Sequence, residues 1–106
     1  MSEAKPRGAR ARGDSASAHE ARIEELLLAG LDHYFAGRHH EAIHVWTRVL
    51  FLDRTHARAR AYIERARSAI AERQRETDEL VARGMAAFRR GDTASARALL
   101  TAALDR

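Results

Sequence analysis

Residues 30–46, GLDHYFAGRHHEAIHVW, decide the fold, because residues 84–100, GMAAFRRGDTASARALL, carry the same pattern. A shift of 54 positions lays Gly30 on Gly84, Gly37 on Gly91 and Ala42 on Ala96. The same shift carries Tyr34 onto Phe88 and Trp46 onto Leu100, within the apolar class. Just outside the quoted blocks, Leu26 falls on Leu80, Val49 on Ala103 and Leu50 on Leu104. The intervals have a physical reading. A first glycine lets a second helix approach closely, and a turn glycine takes the left-handed conformation that other residues avoid. The alanine that follows fits against the first helix, and the large residue beyond it fills the remaining gap. Each block therefore reads as a helical hairpin, and a self-match at a fixed offset is the mark of a repeat architecture.

Working outward, Ser17 and Glu20 have the spacing of a capping box, which would satisfy free amides of a first helical turn. Behind them Ile23, Leu26, Leu27, Leu28, Leu31, Tyr34 and Phe35 predict a helix that is apolar over much of its circumference and covered on more than one side. Gly37 stops it. A second helix is predicted over 40–52, with Ala42, Ile43, Trp46, Val49 and Leu50 on one face. The connection is so short that the two helices must be antiparallel.

From Thr55 onward, Ala59, Tyr62, Ile63, Ala66, Ala69, Ile70, Leu80, Val81, Met85 and Phe88 follow helical spacings. No glycine lies between Gly37 and Gly84, and the only proline is Pro6. One long helix over 55–89 is the reading this favours. The alternative is a break at Thr77-Asp78, where either residue could cap a new helix. Gly91 ends the long helix, and a last one is predicted over 93–104 with Ala96, Leu99, Leu100, Ala103 and Leu104. Alternating apolar-polar runs are absent, so the expected class is all-α. Residues 1–16, with Pro6, Gly8 and Gly13 and no apolar periodicity, read as a disordered basic tail. This leaves 17–106 as the helical domain.

A length of 106 residues suits one domain, and a hydrophobic content of 45% suits a small core. The chain has no cysteine, which excludes disulfides and thiolate metal sites. No apolar run approaches the roughly 20 residues that span a bilayer, so no membrane partner is expected. Lys5, Arg7, Arg10 and Arg12 are followed by no apolar stretch, so no signal peptide is expected and the location is read as cytoplasmic.

The net charge of +4 raises the question of nucleic acid. Yet only Lys5 of the 19 basic residues is lysine, and an arginine bias with abundant alanine is what a GC-rich genome produces. The densest basic stretch, 54–75, holds seven arginines against Glu64 and Glu72. It has no aromatic interleaving beyond Tyr62 and no base-reading motif, so it reads first as a solvated helix face.

His40-Glu41-Ala42-Ile43-His44 matches the zinc-protease signature letter for letter, and Glu64 could be offered as a third ligand. The hairpin pattern explains the same residues otherwise. Ala42, Trp46 and Val49 define the packed face, which turns His40 and His44 outward, and Ala96 repeats Ala42 with no histidine beside it. No nucleophile–base pairing and no phosphate loop is present. Neither catalytic activity, nor a resident metal, nor any other cofactor is expected.

The Gly30, Gly37, Ala42, Trp46 pattern resembles the tetratricopeptide repeat family, with residues 23–54 and 77–106 each similar to one repeat. The offset of 54 exceeds the family's period of about 34 residues, and the surplus lengthens the middle helix. The resemblance implies TPR-like helical hairpins in a partial α-solenoid with a long central helix. It also implies a protein-recognition or scaffolding role. In such proteins partners lie in a groove lined by the first helix of each repeat. Carried over by register, that surface includes Leu27, Leu31 and Tyr34, then Arg58, Ala61 and Arg65. Leu27 and Leu31 stand where the family's carboxylate clamp has lysine and asparagine, so an apolar helix or peptide flanked by acidic groups fits better. Self-association into a homodimer is a further expectation, since repeat ends need a cover. The runner-up is an arginine-rich helical protein that binds nucleic acid or an acidic partner.

Overall fold

The computed structural model describes the backbone from Arg7 to Arg106, and side chains from Ala16 onward. The described residues form helices α1 (Arg7–Phe35), α2 (His39–Leu52), α3 (Ala57–Arg89) and α4 (Thr93–Leu104), with no strand among them. The fold is all-α. The chain divides between Ala66 and Arg67 into two compact units, described separately below.

In the first unit α1 and α2 form a hairpin closed by Gly37, which takes φ +82°. The turn ties off the end of α1 with Gly37 N–H donating to the Tyr34 carbonyl at 3.0 Å and Arg38 N–H to the His33 carbonyl at 2.9 Å. This pair of bonds satisfies carbonyls that a helix end leaves open. Ala42 is fully buried, and the Trp46 indole lies directly on Gly30, where a Cβ would overlap it. The close approach lets Trp46 Nε1 donate to the Leu27 carbonyl at 3.2 Å. Residues 57–66 then cover the hairpin with Ala59, Ile63 and Ala66, packed on Ile23, Leu26, Leu27, Trp46 and Val49. Between α2 and α3, Asp53 Oδ1 accepts from Thr55 N–H and Oγ1 at 3.2 Å each. His56 Nδ1 accepts from Ala59 N–H at 3.2 Å and so caps α3.

The second unit repeats the turn. Gly91 has φ +81°, its N–H donates to the Phe88 carbonyl at 2.9 Å, and Asp92 N–H donates to the Ala87 carbonyl at 2.9 Å. A Cβ at Gly84 would meet Leu100 Cγ and Cδ2 at 2.8 Å, as one at Gly30 would meet Trp46. The two units differ in capping. Asp92 Oδ1 accepts from Ser95 N–H at 3.1 Å, and hydrogen bonding to the Ser95 side chain and then to this amide holds its carboxyl below the ordinary carboxylate pKa. Arg38, its counterpart, makes no side-chain cap and instead donates from Nε to His33 Nδ1 at 3.0 Å. The units differ more in their cores. Buried apolar side chains of the second are Ala87, Ala96 and Ala103, while Val81, Met85, Phe88 and Leu104 stay exposed.

Two sequence expectations change. α1 starts at Arg7, ahead of Ser17, so Ser17 and Glu20 lie inside the helix and cap nothing. Ala9, Ala11, Ala16 and Ala18, interleaved with Arg10 and Arg12, carry enough helix propensity to extend it. The expected tail over 1–16 therefore gives way to helix from Arg7, and its residues 1–6 lie outside the described ones. The open choice over 55–89 falls on one helix, with no break at Thr77-Asp78. Both candidate caps are engaged inside α3. Thr77 Oγ1 donates to the Arg73 carbonyl at 3.0 Å, and Asp78 Oδ1 accepts from Gln74 Nε2 at 2.9 Å.

Candidate functional site

Small residues on α3 create a concavity of apolar character in the first unit. Where α3 brings Ala59, Ile63 and Ala66 against the hairpin, packing is complete. Toward the turn of α1 it offers Ala61 instead, and a space of about 400 Å³ opens, lined by Leu31, Tyr34, Phe35, Trp46, Ala61, Tyr62 and Arg65. Four aromatic residues, Tyr34, Phe35, Trp46 and Tyr62, contribute to its wall. The Trp46 centroid lies 5.2 Å from Tyr62 and 6.1 Å from Tyr34, both tilted. Tyr34 is fixed from its other side by edge contacts to Phe35 at 5.4 Å and His39 at 5.0 Å. Trp46 is itself locked by its bond to the Leu27 carbonyl. The wall is thus rigid, apolar and polarisable, which suits an inserted aliphatic or aromatic group.

Arg65 stands at the rim. Among the described residues it has no carboxylate partner, whereas Arg22, Arg58, Arg75 and Arg106 are each paired. Its guanidinium is free to meet an acidic group beside the inserted one.

Of the residues expected to bind a partner, Leu31, Tyr34, Ala61 and Arg65 come together around this pocket. Two do not. Leu27 is 2% exposed and is a packing residue of the hairpin, because residues 57–66 close over it. Arg58 lies outside the pocket, and its Nη2 donates to Glu24 Oε2 at 2.7 Å. That carboxylate, through the hydrogen bond and then its charge, raises the Arg58 pKa further. Trp46, Tyr62 and Phe35 were not among the expected site residues. Tyr62 was legible in principle, since it adjoins Ala61 and lies one helical turn from Arg65.

The other sequence motifs are placed as follows. His40 and His44 are exposed on α2, away from the buried face of Ala42, Trp46 and Val49. Among the described residues no three His, Cys, Asp or Glu side chains are gathered as a ligand set. Some arginines of 54–75 are engaged within the protein, while Arg65 has no carboxylate partner among the described residues. Arg58 pairs with Glu24, Arg75 with Glu72 at 2.8 Å, and Arg73 Nε donates to the Arg106 carbonyl at 3.1 Å. No described helix is long and apolar enough to cross a membrane. No protein-family model, functionally described protein or solved structure matches the chain.

Proposed function

We propose that the protein is a non-enzymatic recognition module of TPR-like construction, which binds a helix or peptide of another protein through the first unit. The partner inserts an apolar side chain against Tyr34, Trp46 and Tyr62 and sets an acidic group on Arg65. The observation that carries this reading is the pocket of about 400 Å³, where four residues anticipated from the hairpin register share one rigid aromatic wall. The repeated turn geometry at Gly37 and Gly91 supports the TPR-like construction. The nucleic-acid reading has less behind it, because the basic stretch 54–75 offers a single tyrosine, Tyr62, and no base-reading motif.

The test is capture from nuclease-treated native extract with wild type, Ala61→Trp and Arg65→Glu. Ala61 and Arg65 are exposed, so both variants should fold, and circular dichroism would check this. A protein recovered by wild type and lost with both folded variants is the expected result. Equal recovery by all three would sink the proposed site. Recovery of nucleic acid alone, before nuclease, would move the function to the arginine stretch.

A further inference from the structure

The second unit exposes apolar positions whose counterparts in the first unit are buried or half-buried. By the 54-residue shift, Val81, Met85 and Leu104 are the counterparts of Leu27, Leu31 and Leu50. Leu27 is 2% exposed beneath residues 57–66, yet Val81 is 40%, Met85 43% and Leu104 86% exposed. The covering segment in the first unit is itself a pattern: Arg58-Ala59-x2-Tyr62-Ile63-x2-Ala66. The alanines permit close approach, Ile63 and Tyr62 fill the hairpin, and Arg58 reaches Glu24 at 2.7 Å. The counterpart of Glu24 in the second unit is Asp78. It is an acidic group at the same register, bonded only to the neutral amide of Gln74.

The geometry points to a helix-docking site on the second unit, whose occupant is a partner α-helix with the sequence chemistry of residues 58–66. That occupant has an arginine followed by alanine, an aromatic–aliphatic pair at the next turn, and alanine at the turn after. The arginine meets Asp78, the aliphatic residue packs between Val81 and Met85, and the end alanine lets the helix lie close. Position and charge therefore agree on one kind of occupant, read off the chain's own example of how such a hairpin is covered. The site is separate from the aromatic pocket of the first unit and does not depend on it.

A fluorescently labelled peptide of residues 55–70 with blocked ends is titrated into the full-length protein and followed by anisotropy. Saturable binding is expected. Met85→Glu should weaken it roughly tenfold or more, because a charge replaces apolar contact. Asp78→Arg should weaken it roughly two- to fivefold, the size of an exposed ion pair, and a peptide with Arg58→Glu should recover that loss. Leu31→Glu in the first unit should leave peptide affinity unchanged, which separates this site from the proposed pocket. Met85 and Asp78 are surface residues, so the variants should fold. Failure of the peptide to saturate overturns the inference. So does binding indifferent to Met85→Glu, which would mean that the peptide displaces its own segment in the first unit. Light scattering that shows a dimer dissociated by Met85→Glu, with no peptide binding, would assign the face to a second copy and overturn it as well.

Discussion

Gly30→Ala and Gly84→Ala are the same substitution at matched positions, and the structure predicts unequal outcomes. An alanine Cβ at position 30 would overlap Trp46 Nε1, Cδ1 and Cε2. The indole cannot step aside, being 1% exposed, in tilted contact with Tyr34 and Tyr62 and bonded to the Leu27 carbonyl. Overpacking a rigid core costs about 1–3 kcal/mol. Pushing Nε1 off its buried acceptor adds about 1–3 kcal/mol. Alanine's better helix propensity returns about 1 kcal/mol. The net is a destabilisation of about 3 kcal/mol, within a range of about 1–5.

At position 84 the obstacle is the end of a flexible, half-buried Leu100 side chain, met at 2.8 Å. A rotamer change relieves it, so the propensity gain roughly cancels the cost of about 1 kcal/mol. Urea unfolding followed by Trp46 fluorescence and by circular dichroism reads both. A double-mutant cycle sharpens the point. In a Trp46→Leu background, position 30 faces the side chain that position 84 already faces, and the Gly30→Ala penalty should shrink toward the Gly84→Ala value. If Gly30→Ala is as stable as wild type, or Gly84→Ala the more damaging, the account of the hairpin contact is wrong.

The turn glycines should behave differently from the contact glycines. Gly37→Ala and Gly91→Ala meet no atoms, so each should cost only the left-handed strain of about 1–2 kcal/mol, and asparagine at either site should cost less than alanine. Unequal penalties in thermal unfolding would point to a contact not seen at these turns. Asp92 gives a pH dependence. Its carboxyl is held below the ordinary value of 3.8 by hydrogen bonds to the Ser95 side chain and then to its amide, so its capping contribution is complete above that pH. It is lost as pH falls through the lowered folded value. Protection of the Ser95 amide, its exchange measured against the intrinsic rate at each pH, should fall over that acid range in wild type, and Asp92→Asn should flatten the response.

Where local chemistry decides a conformation, the residues announce it. Gly37 and Gly91 sit where φ must be positive, and no other residue type reads so plainly. Four-helix order and the uninterrupted α3 followed from helical spacing with no proline or glycine to break it. The start of α1 did not, because Ser17 and Glu20 satisfy the spacing of a cap while the alanines upstream favour continuing the helix. Spacing cannot weigh those two against each other. The site was legible only to the level of a face. Leu27 and Leu31 are one helical turn apart on the same side of α1, and their separate fates depend on α3, which closes over one and stops short of the other. Arg58 and Arg65 look equivalent in sequence, and only the position of Glu24 distinguishes the paired cation from the free one.

The size of the pocket constrains what its partner must be. Burying one aliphatic or aromatic side chain contributes about 1.5–3 kcal/mol. That is roughly a tenfold to hundredfold gain in affinity. An exposed pair on Arg65 adds about 0–1 kcal/mol. Those two contacts together cannot offset the several kcal/mol lost in association and in ordering a flexible chain. A short unstructured ligand with a single apolar anchor would therefore bind too weakly to matter. A segment already helical loses less on docking, and it presents further side chains at the spacing of Leu31 and Tyr34 on α1. The proposed partner is accordingly a preformed amphipathic helix. Stapling a selected peptide into helical form should tighten its binding, whereas proline at its centre should abolish it.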